Sequence, residues 1–446
     1  MVHLFKKLDN RFVFDTDSGS IFVLDELSHL LLKERLGGSY APDRAERARL
    51  SSYPEAERAE AEAEIDALIG SGALFTRSQP RSFDGSGPVK ALCLNVCHDC
   101  NLVCGYCFAD GGVYGGGKER MSAEVARASV DFLARNGEEN LEIDFFGGEP
   151  LLNLSVIRDT IAYARKNYSD RVFKFTITTN GLLLDGDTAA YLNGVMQNVV
   201  ISIDGRKAVN DAVRRARPGG DFHGDCFDTI LENARRFRGI RGGADYFIRG
   251  TYTRKNLDFA SDAEFLFREG FDSVSLEPAV LPLGHPLAIR EADIPAIDRE
   301  YERLALIMPR YPGARFFHFG VDFSGGPCEQ RRLSACSAGC RYYCVSPAGR
   351  LHPCHQFASD PAFGLGSVTD GVTAAGLHDE FSLLSVLSKP ECQTCFAKYH
   401  CSGGCAAAAY RSTGSLYKPD RIQCGIIRAR LETALAYNAG KATERA

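Results

Sequence analysis

Sixteen cysteines, set in two groups, constrain this chain more than any other feature of its 446 residues. None occurs before Cys93, five fall between Cys93 and Cys107, Cys226 stands alone, and ten lie between Cys328 and Cys424. The opening MVHLFKKLDN lacks the apolar core of a signal peptide, and no apolar run approaches the roughly 18 residues of a membrane span. A cytoplasmic chain without membrane contact is expected. A reducing cytosol disfavours structural disulfides and points clustered thiols toward metal or redox chemistry. Two metal regions follow, about 200 residues apart.

Between the two groups, strand-like runs alternate with helical patterns: ALCLNV (91–96), LEIDFF (141–146), VFKFTIT (172–178), NVVISID (198–204), DYFIRGT (245–251) and DSVSLEP (272–278). The segment SAEVARASVDFLARNG, with Ser122 as its N-cap, typifies the helices. Repeated βα units imply parallel strands with chemistry at their carboxyl ends. A partial (β/α)6 barrel is therefore expected over residues 91–315, in an α/β chain whose length allows about three domains. Residues 1–78 read as a small α+β module with strands at 3–8, 11–17 and 20–24, followed by helices. QPRSFDGSGPVK (79–90) reads as a linker. Residues 316–446 form the cysteine-rich domain with a C-terminal helix. A formal charge of -5 supplies no basic field, so nucleic acid is not an expected partner.

Cys100, Cys104 and Cys107 form a C-x3-C-x2-C triplet, three thiolates where a cubane iron–sulfur cluster normally takes four. One iron is left for a chelating ligand such as the amino-carboxylate of S-adenosylmethionine. A structural zinc site is the alternative, but tetrahedral zinc takes four ligands, usually in two pairs. The glycine-rich stretch from Gly112 to Lys118 fails as a phosphate loop, because Glu119 stands where a Ser or Thr is needed.

The triplet with Phe108, then FFGGEPLL, TTNG and SIDG at successive strand ends, resembles the radical S-adenosylmethionine superfamily over most of residues 91–280. The resemblance implies that Gly147, Gly148, Glu149 and Pro150 hold the methionyl amine through backbone carbonyl and carboxylate acceptors. It places Asn180 and Ser202 near ribose and carboxylate. Arg249 is the candidate for the methionyl carboxylate, which a guanidinium grips bidentately. Downstream, Cys336, Cys354, Cys392, Cys395, Cys401, Cys405 and Cys424 resemble the seven-cysteine SPASM pattern. That family carries two auxiliary 4Fe–4S clusters, which implies Cys392, Cys395, Cys401 and Cys424 on one and Cys336, Cys354 and Cys405 on the other. The second set is one ligand short. Cys328, Cys340, Cys344 or a substrate thiolate are the candidates, and the open, substrate-binding site is favoured. Cys93, Cys97 and Cys226 read as inert small side chains, with redox activity of Cys97 as an alternative, and His355 and His400 as satisfied histidines.

Closer still, CLNVCHDCNLVCGYCFA, SPAGRLHPCHQF and KYHCSGGC resemble the maturases of six-cysteine (SCIFF) peptides. The resemblance implies a winged-helix-like leader-recognition module, the partial barrel and the SPASM domain in that order. It also implies S-adenosylmethionine with three 4Fe–4S clusters, a cysteine-rich precursor peptide with a leader, a flavodoxin- or ferredoxin-type one-electron reductant, and thioether crosslinks as product. Two other readings stand beside it: a sulfatase maturase-like enzyme making formylglycine, and a non-catalytic metal-binding or electron-transfer protein.

Overall fold

The computed structural model describes the chain except residues 79–80, 221, 223, 322–332 and 444–446. Six parallel strands build the barrel wall: Val89–His98, Gly137–Gly147, Val172–Thr179, Asn198–Ser202, Tyr246–Tyr252 and Ser273–Pro278. They pair in chain order, each with the next. Alternation along each strand sorts the side chains. Leu92, Leu94, Val96, Ile143 and Phe145 pack outward against helix residues such as Val130 and Leu133, while Cys93, Asn95, Asp144 and Thr176 belong to the opposite face by the period of two. The helix Ala123–Asn136 begins at Ser122, whose side chain accepts from Val125 N. No helix among the described residues is long and apolar enough to cross a membrane.

The barrel does not close on itself. Beyond its first strand the sheet continues into the cysteine-rich region, where Tyr342–Val345 pairs in parallel with Val89–His98, aligning Cys344 with Cys93. The segment expected as a linker is laid onto the same region: Gly85 N donates to Ser382 O at 2.9 Å, and Phe83 packs against the core that holds Leu333 and Cys392.

At the N-terminus, Val2–Lys7, Asn10–Asp15 and Ile21–Leu24 form an antiparallel sheet in that order. Its alternation serves two cores. Val2, Leu4 and Val13 face the module's own helices, whereas Phe5, Phe12 and Phe14 meet Phe396, Leu431 and Leu435 of the C-terminal region. The His3 ring stacks on Phe396, centroids 3.7 Å apart, and its Nε2 meets Glu432 Oε1 at 2.8 Å. The outer edge of Ile21–Leu24 has no strand partner among the described residues.

Candidate active site and thiol clusters

The triplet loop leaves the end of the first barrel strand and is fixed from two sides. Leu102–Cys104 pairs with Arg214–Ala216, aligning Cys104 with Arg214. Arg217 Nε donates to Cys100 O at 2.6 Å. Tyr106, inside the triplet, donates to Asp204 Oδ2 at 2.6 Å and accepts from Arg214 Nη1 at 3.0 Å, while Thr251 N donates to Asp204 Oδ1 at 2.9 Å. Asp204 and Arg214 are both buried, so the SIDG turn and the cysteine loop share one polar core.

The other side is FFGGEP. Gly148 N donates to Cys97 O and Glu149 N to Asp99 O, each at 2.8 Å. A Cβ at Gly147 would lie 2.3 Å from Cys97 O, and one at Gly148 2.2 Å from Asp99 O. Only glycines let this backbone come so close to the cysteine loop. Glu149 is wholly buried. Its Oε1 accepts from Thr179 Oγ1 at 2.7 Å and Leu151 N at 3.0 Å, and its Oε2 from Asn180 N at 2.8 Å. Burial pushes this carboxyl up against those donors. These three donors let the Glu149 carboxylate tie the strand ends together, and within the same turn Gly147 O accepts from Tyr114 Oη at 3.2 Å. Pro150 starts the short turn Pro150–Asn153. Asn180 Nδ2 donates to Asn101 Oδ1 at 2.7 Å and lies 3.7 Å from Cys100 Sγ, which turns it toward the cysteine loop.

Cys100, Cys104 and Cys107 act on one another electrostatically, and burial pushes Cys100 up to about 12 and Cys104 up to about 11. A metal displaces those protons. The surroundings fit a cluster: Leu102 N donates toward Cys100 Sγ at 3.5 Å, and Arg214 Nε, whose guanidinium acts on Cys104, is a buried donor without a partner. Among the described residues, no three His, Cys, Asp or Glu converge as a single metal ion requires.

Ser202 is half-buried and stands beside Arg249 in the strand register. Arg249 is 3.7 Å from Glu277 Oε1. Glu277 also meets His318 Nε2 at 2.6 Å and Arg430 Nη1 at 3.7 Å; despite burial, these partners hold its carboxyl down at about 2. One carboxylate thus serves two guanidiniums. Asp144 accepts from Thr176 Oγ1 at 2.8 Å, and burial pushes it up to about 6.

Two further thiol groups assemble in the C-terminal region. Cys354 feels Cys405 and Cys336; Cys401 feels Cys392 and Cys395, and Cys424 feels all three. Cys392, Cys395, Cys401, Cys405 and Cys424 line a cavity of 330 Å³. Ser402, Gly403 and Gly404 take φ of 55°, 85° and 70°, and this left-handed run turns the chain between Cys401 and Cys405. Of the candidate fourth ligands, Cys340 is buried near Cys336 with its Sγ on Ser337 O at 3.2 Å. Cys344 pairs instead with Cys93. Cys328 lies outside the described residues.

Sequence reasoning missed three groups. His355, read as a satisfied histidine, is stacked on Phe146 with centroids 4.6 Å apart, and its Nδ1 is buried without a hydrogen-bond partner. Cys93 and Cys344 were separate in the sequence reading and are neighbours. Lys389 is buried beside the C-terminal thiols; the only sequence signal was its place three residues before Cys392.

A family model described as a 4Fe-4S single cluster domain matches residues 83–221. The chain is 29% identical over 191 residues to an uncharacterized Methanocaldococcus jannaschii protein, MJ0907, covering 42% of this chain and 62% of that protein. It is 23% identical to the radical SAM cyclopropyl synthase TigE of Paramaledivibacter caminithermalis, covering 76% and 72% of the two chains. With the PqqA peptide cyclase of Rhodopseudomonas palustris it shares 25% identity over 74% and 85%. Among solved structures, anSMEcpe with bound AdoMet and Cp18Cys peptide superposes with a TM-score of 0.67 at 20% identity, covering 80% of this chain and 100% of that one. Streptococcus suis SuiB bound to S-adenosylmethionine superposes at 0.53 and 17% identity, over 94% and 98%. The fold is of the radical S-adenosylmethionine, SPASM type.

Proposed function

We propose that this radical S-adenosylmethionine enzyme is a peptide maturase that joins a cysteine sulfur to carbon within a cysteine-rich precursor. The observation that carries the reading is the cavity lined by Cys392, Cys395, Cys401, Cys405 and Cys424 in the C-terminal region, together with the loop of Cys100, Cys104 and Cys107 held against a glycine-lined turn. Cys100, Cys104 and Cys107 would hold the first 4Fe–4S cluster, with Cys336, Cys354 and Cys405, and Cys392, Cys395, Cys401 and Cys424, holding two more. Bound there, S-adenosylmethionine and the clusters supply a radical that abstracts hydrogen from a substrate carbon and acceptors for the electron left when a thiolate closes onto it.

The chain's own residues bind and orient. The turn of Gly147, Gly148, Glu149 and Pro150 would hold the methionyl amine, and Arg249, whose partner Glu277 also meets Arg430, would meet the methionyl carboxylate. Asn180 fixes the cysteine loop, and Ser202 stands at the same strand ends. Thr176 orients Asp144. Residues 1–78 act as the leader-recognition module: a peptide adds a strand to Ile21–Leu24, whose backbone donors and acceptors give affinity. Residues 79–90, 91–315 and 316–446 then serve as connector, barrel and SPASM domain. PqqA peptide cyclase and the peptide-bound anSMEcpe support a peptide substrate by their names. An external one-electron donor of flavodoxin or ferredoxin type starts each turnover.

The test is cofactor cleavage. Anaerobically reconstituted protein carrying about twelve irons, four per cubane, should release 5'-deoxyadenosine from S-adenosylmethionine under a strong reductant. Zinc at comparable stoichiometry with no broad visible absorption, and intact S-adenosylmethionine, would contradict the reading.

A further inference from the structure

Lys389 is 1% exposed and immediately precedes the short helix Pro390–Gln393 that carries Cys392. Its Nζ donates to Gly403 O at 2.7 Å, a carbonyl between Cys401 and Cys405 in the chain. Among the described residues no carboxylate pairs with it. Burial pushes the ammonium down, and the groups that oppose this are thiols, namely Cys392, Cys401, Cys405 and Cys424; its charge in turn reaches Cys336. Lys389, Cys336 and Gly404 line one narrow pocket, while Gly403, Gly404 and Cys405 line the larger cavity with Cys392 and Cys424. The ammonium therefore stands in the wall between the two thiol groups.

A buried cation with a single carbonyl partner is costly unless anions lie close. Neutral thiols do not supply that charge. Two clusters held by thiolates do, one on each side. Each added electron makes such a cluster more negative, and a fixed cation stabilises the reduced form more than the oxidised one; net charge and hydrogen bonding are known levers on these potentials. We infer that Lys389 holds the reduction potentials of both auxiliary clusters above the values they would have without its charge, making the pair an electron acceptor for bond formation. The inference rests on the three-cluster reading above. Its electron balance is simple: a thiolate and a carbon radical form one C–S bond and release one electron, which reduces an auxiliary cluster by one unit. The thiol proton passes to solvent water beforehand, so the thiolate is what meets the radical. Lys389 is a positioning residue in this scheme, since it touches neither substrate nor the bond being made.

The test uses full-length protein in which Cys100, Cys104 and Cys107 are replaced by Ala, so that only auxiliary clusters contribute. Iron and sulfide are counted first, and reduction is then followed by potentiometric titration with electron paramagnetic resonance. A parent without about eight irons overturns the cluster reading and the inference with it. Given those irons, Lys389→Gln, which keeps a hydrogen-bond donor but no charge, should be harder to reduce. At fixed potential its ratio of reduced to oxidised cluster should fall about tenfold, equivalent to about 59 mV for a one-electron couple. Lys389→Met should behave alike, and Lys389→Arg should stay near the parent. Where Lys389→Met alone loses iron, Lys389→Gln decides. Unmoved potentials in an iron-replete Lys389→Gln protein overturn the inference. So does an equal shift in Lys389→Arg, which marks a packing effect, or loss of the auxiliary iron in Lys389→Gln, which marks a scaffold role.

Discussion

Replacing Asp204 by Asn should weaken the fold and loosen the cysteine loop together. Asp204 is 1% exposed and its carboxylate takes three donors: Tyr106 Oη, Thr251 N and, at 3.5 Å, Arg214 Nη1. Two unit charges at that distance attract by about 5 kcal/mol at an effective dielectric near 20. Desolvation offsets most of this, and burial does push the Asp204 carboxyl up against the pull of its partners. The cost of the substitution therefore comes from stranding Arg214, itself buried, without its counter-charge, about 3–5 kcal/mol. At about 2 °C per kcal/mol for a large domain, the melting temperature should fall on the order of 5–10 °C. Tyr106→Phe should cost less, about 1–3 kcal/mol, because it removes one hydroxyl from the network. The assay is thermal melting of the reconstituted protein alongside iron content and 5'-deoxyadenosine yield. Since Tyr106 lies between Cys104 and Cys107, D204N should lose iron from the first cluster and cofactor cleavage with it. A D204N protein that melts within a degree of the parent and keeps its full iron would refute the argument that this buried pair positions the loop.

Joint replacement of Cys100, Cys104 and Cys107 by Ala should remove about four irons and abolish 5'-deoxyadenosine formation while the C-terminal clusters persist; loss of all iron would contradict three independent sites. Val23→Glu places a charge on the open edge strand, where Val23 is 47% exposed, and should weaken leader-peptide binding about tenfold by fluorescence anisotropy with little change in melting temperature. An unchanged affinity would move the binding surface elsewhere. Asp144 is pushed up to about 6 by burial, above an unfolded value of about 3.9. The folded state thus keeps a proton that the unfolded chain has released, and stability falls as pH rises from about 4 to 6. Asp144→Asn should remove that loss and exceed the parent above pH 6, by at most about 3 kcal/mol. The two proteins should converge below pH 4 in denaturant midpoints, whereas a pH-independent difference would exclude titration of Asp144 as the cause.

The barrel was legible because each strand is a short apolar run whose placement follows from local composition. All six lie within a few residues of the runs read from sequence, and Ser122 caps its helix as its side chain dictates. The cysteine groups were legible for a different reason, since thiol spacing is a property of the chain itself. What escaped depends on non-local pairing. Cys93 and Cys344 are separated by two hundred and fifty residues and meet only because Tyr342–Val345 extends the barrel sheet. The face of the N-terminal sheet carrying Phe5, Phe12 and Phe14 has no partner of its own until Phe396 and Leu435 cover it. The motif around Glu149 does not reveal what holds its carboxylate in place, because the donors on its oxygens sit at the end of the next barrel strand and just beyond its own turn. His355 and Lys389 carry no sequence signal beyond standing near expected cluster cysteines; their meaning comes from what surrounds them.

Turnover should create a new bond between a cysteine sulfur and a carbon of the same peptide. Its formation is tested most directly by tandem mass spectrometry of a cysteine-rich precursor after anaerobic turnover with reconstituted enzyme, S-adenosylmethionine and reductant, followed by thiol alkylation. Each crosslink should lower the peptide mass by two hydrogens, remove one alkylatable thiol and survive reduction by a thiol reagent, with fragmentation suppressed between the joined residues. A product in which a cysteine has instead lost its sulfur to an aldehyde, or whose mass returns to that of the substrate on reduction, would contradict thioether formation.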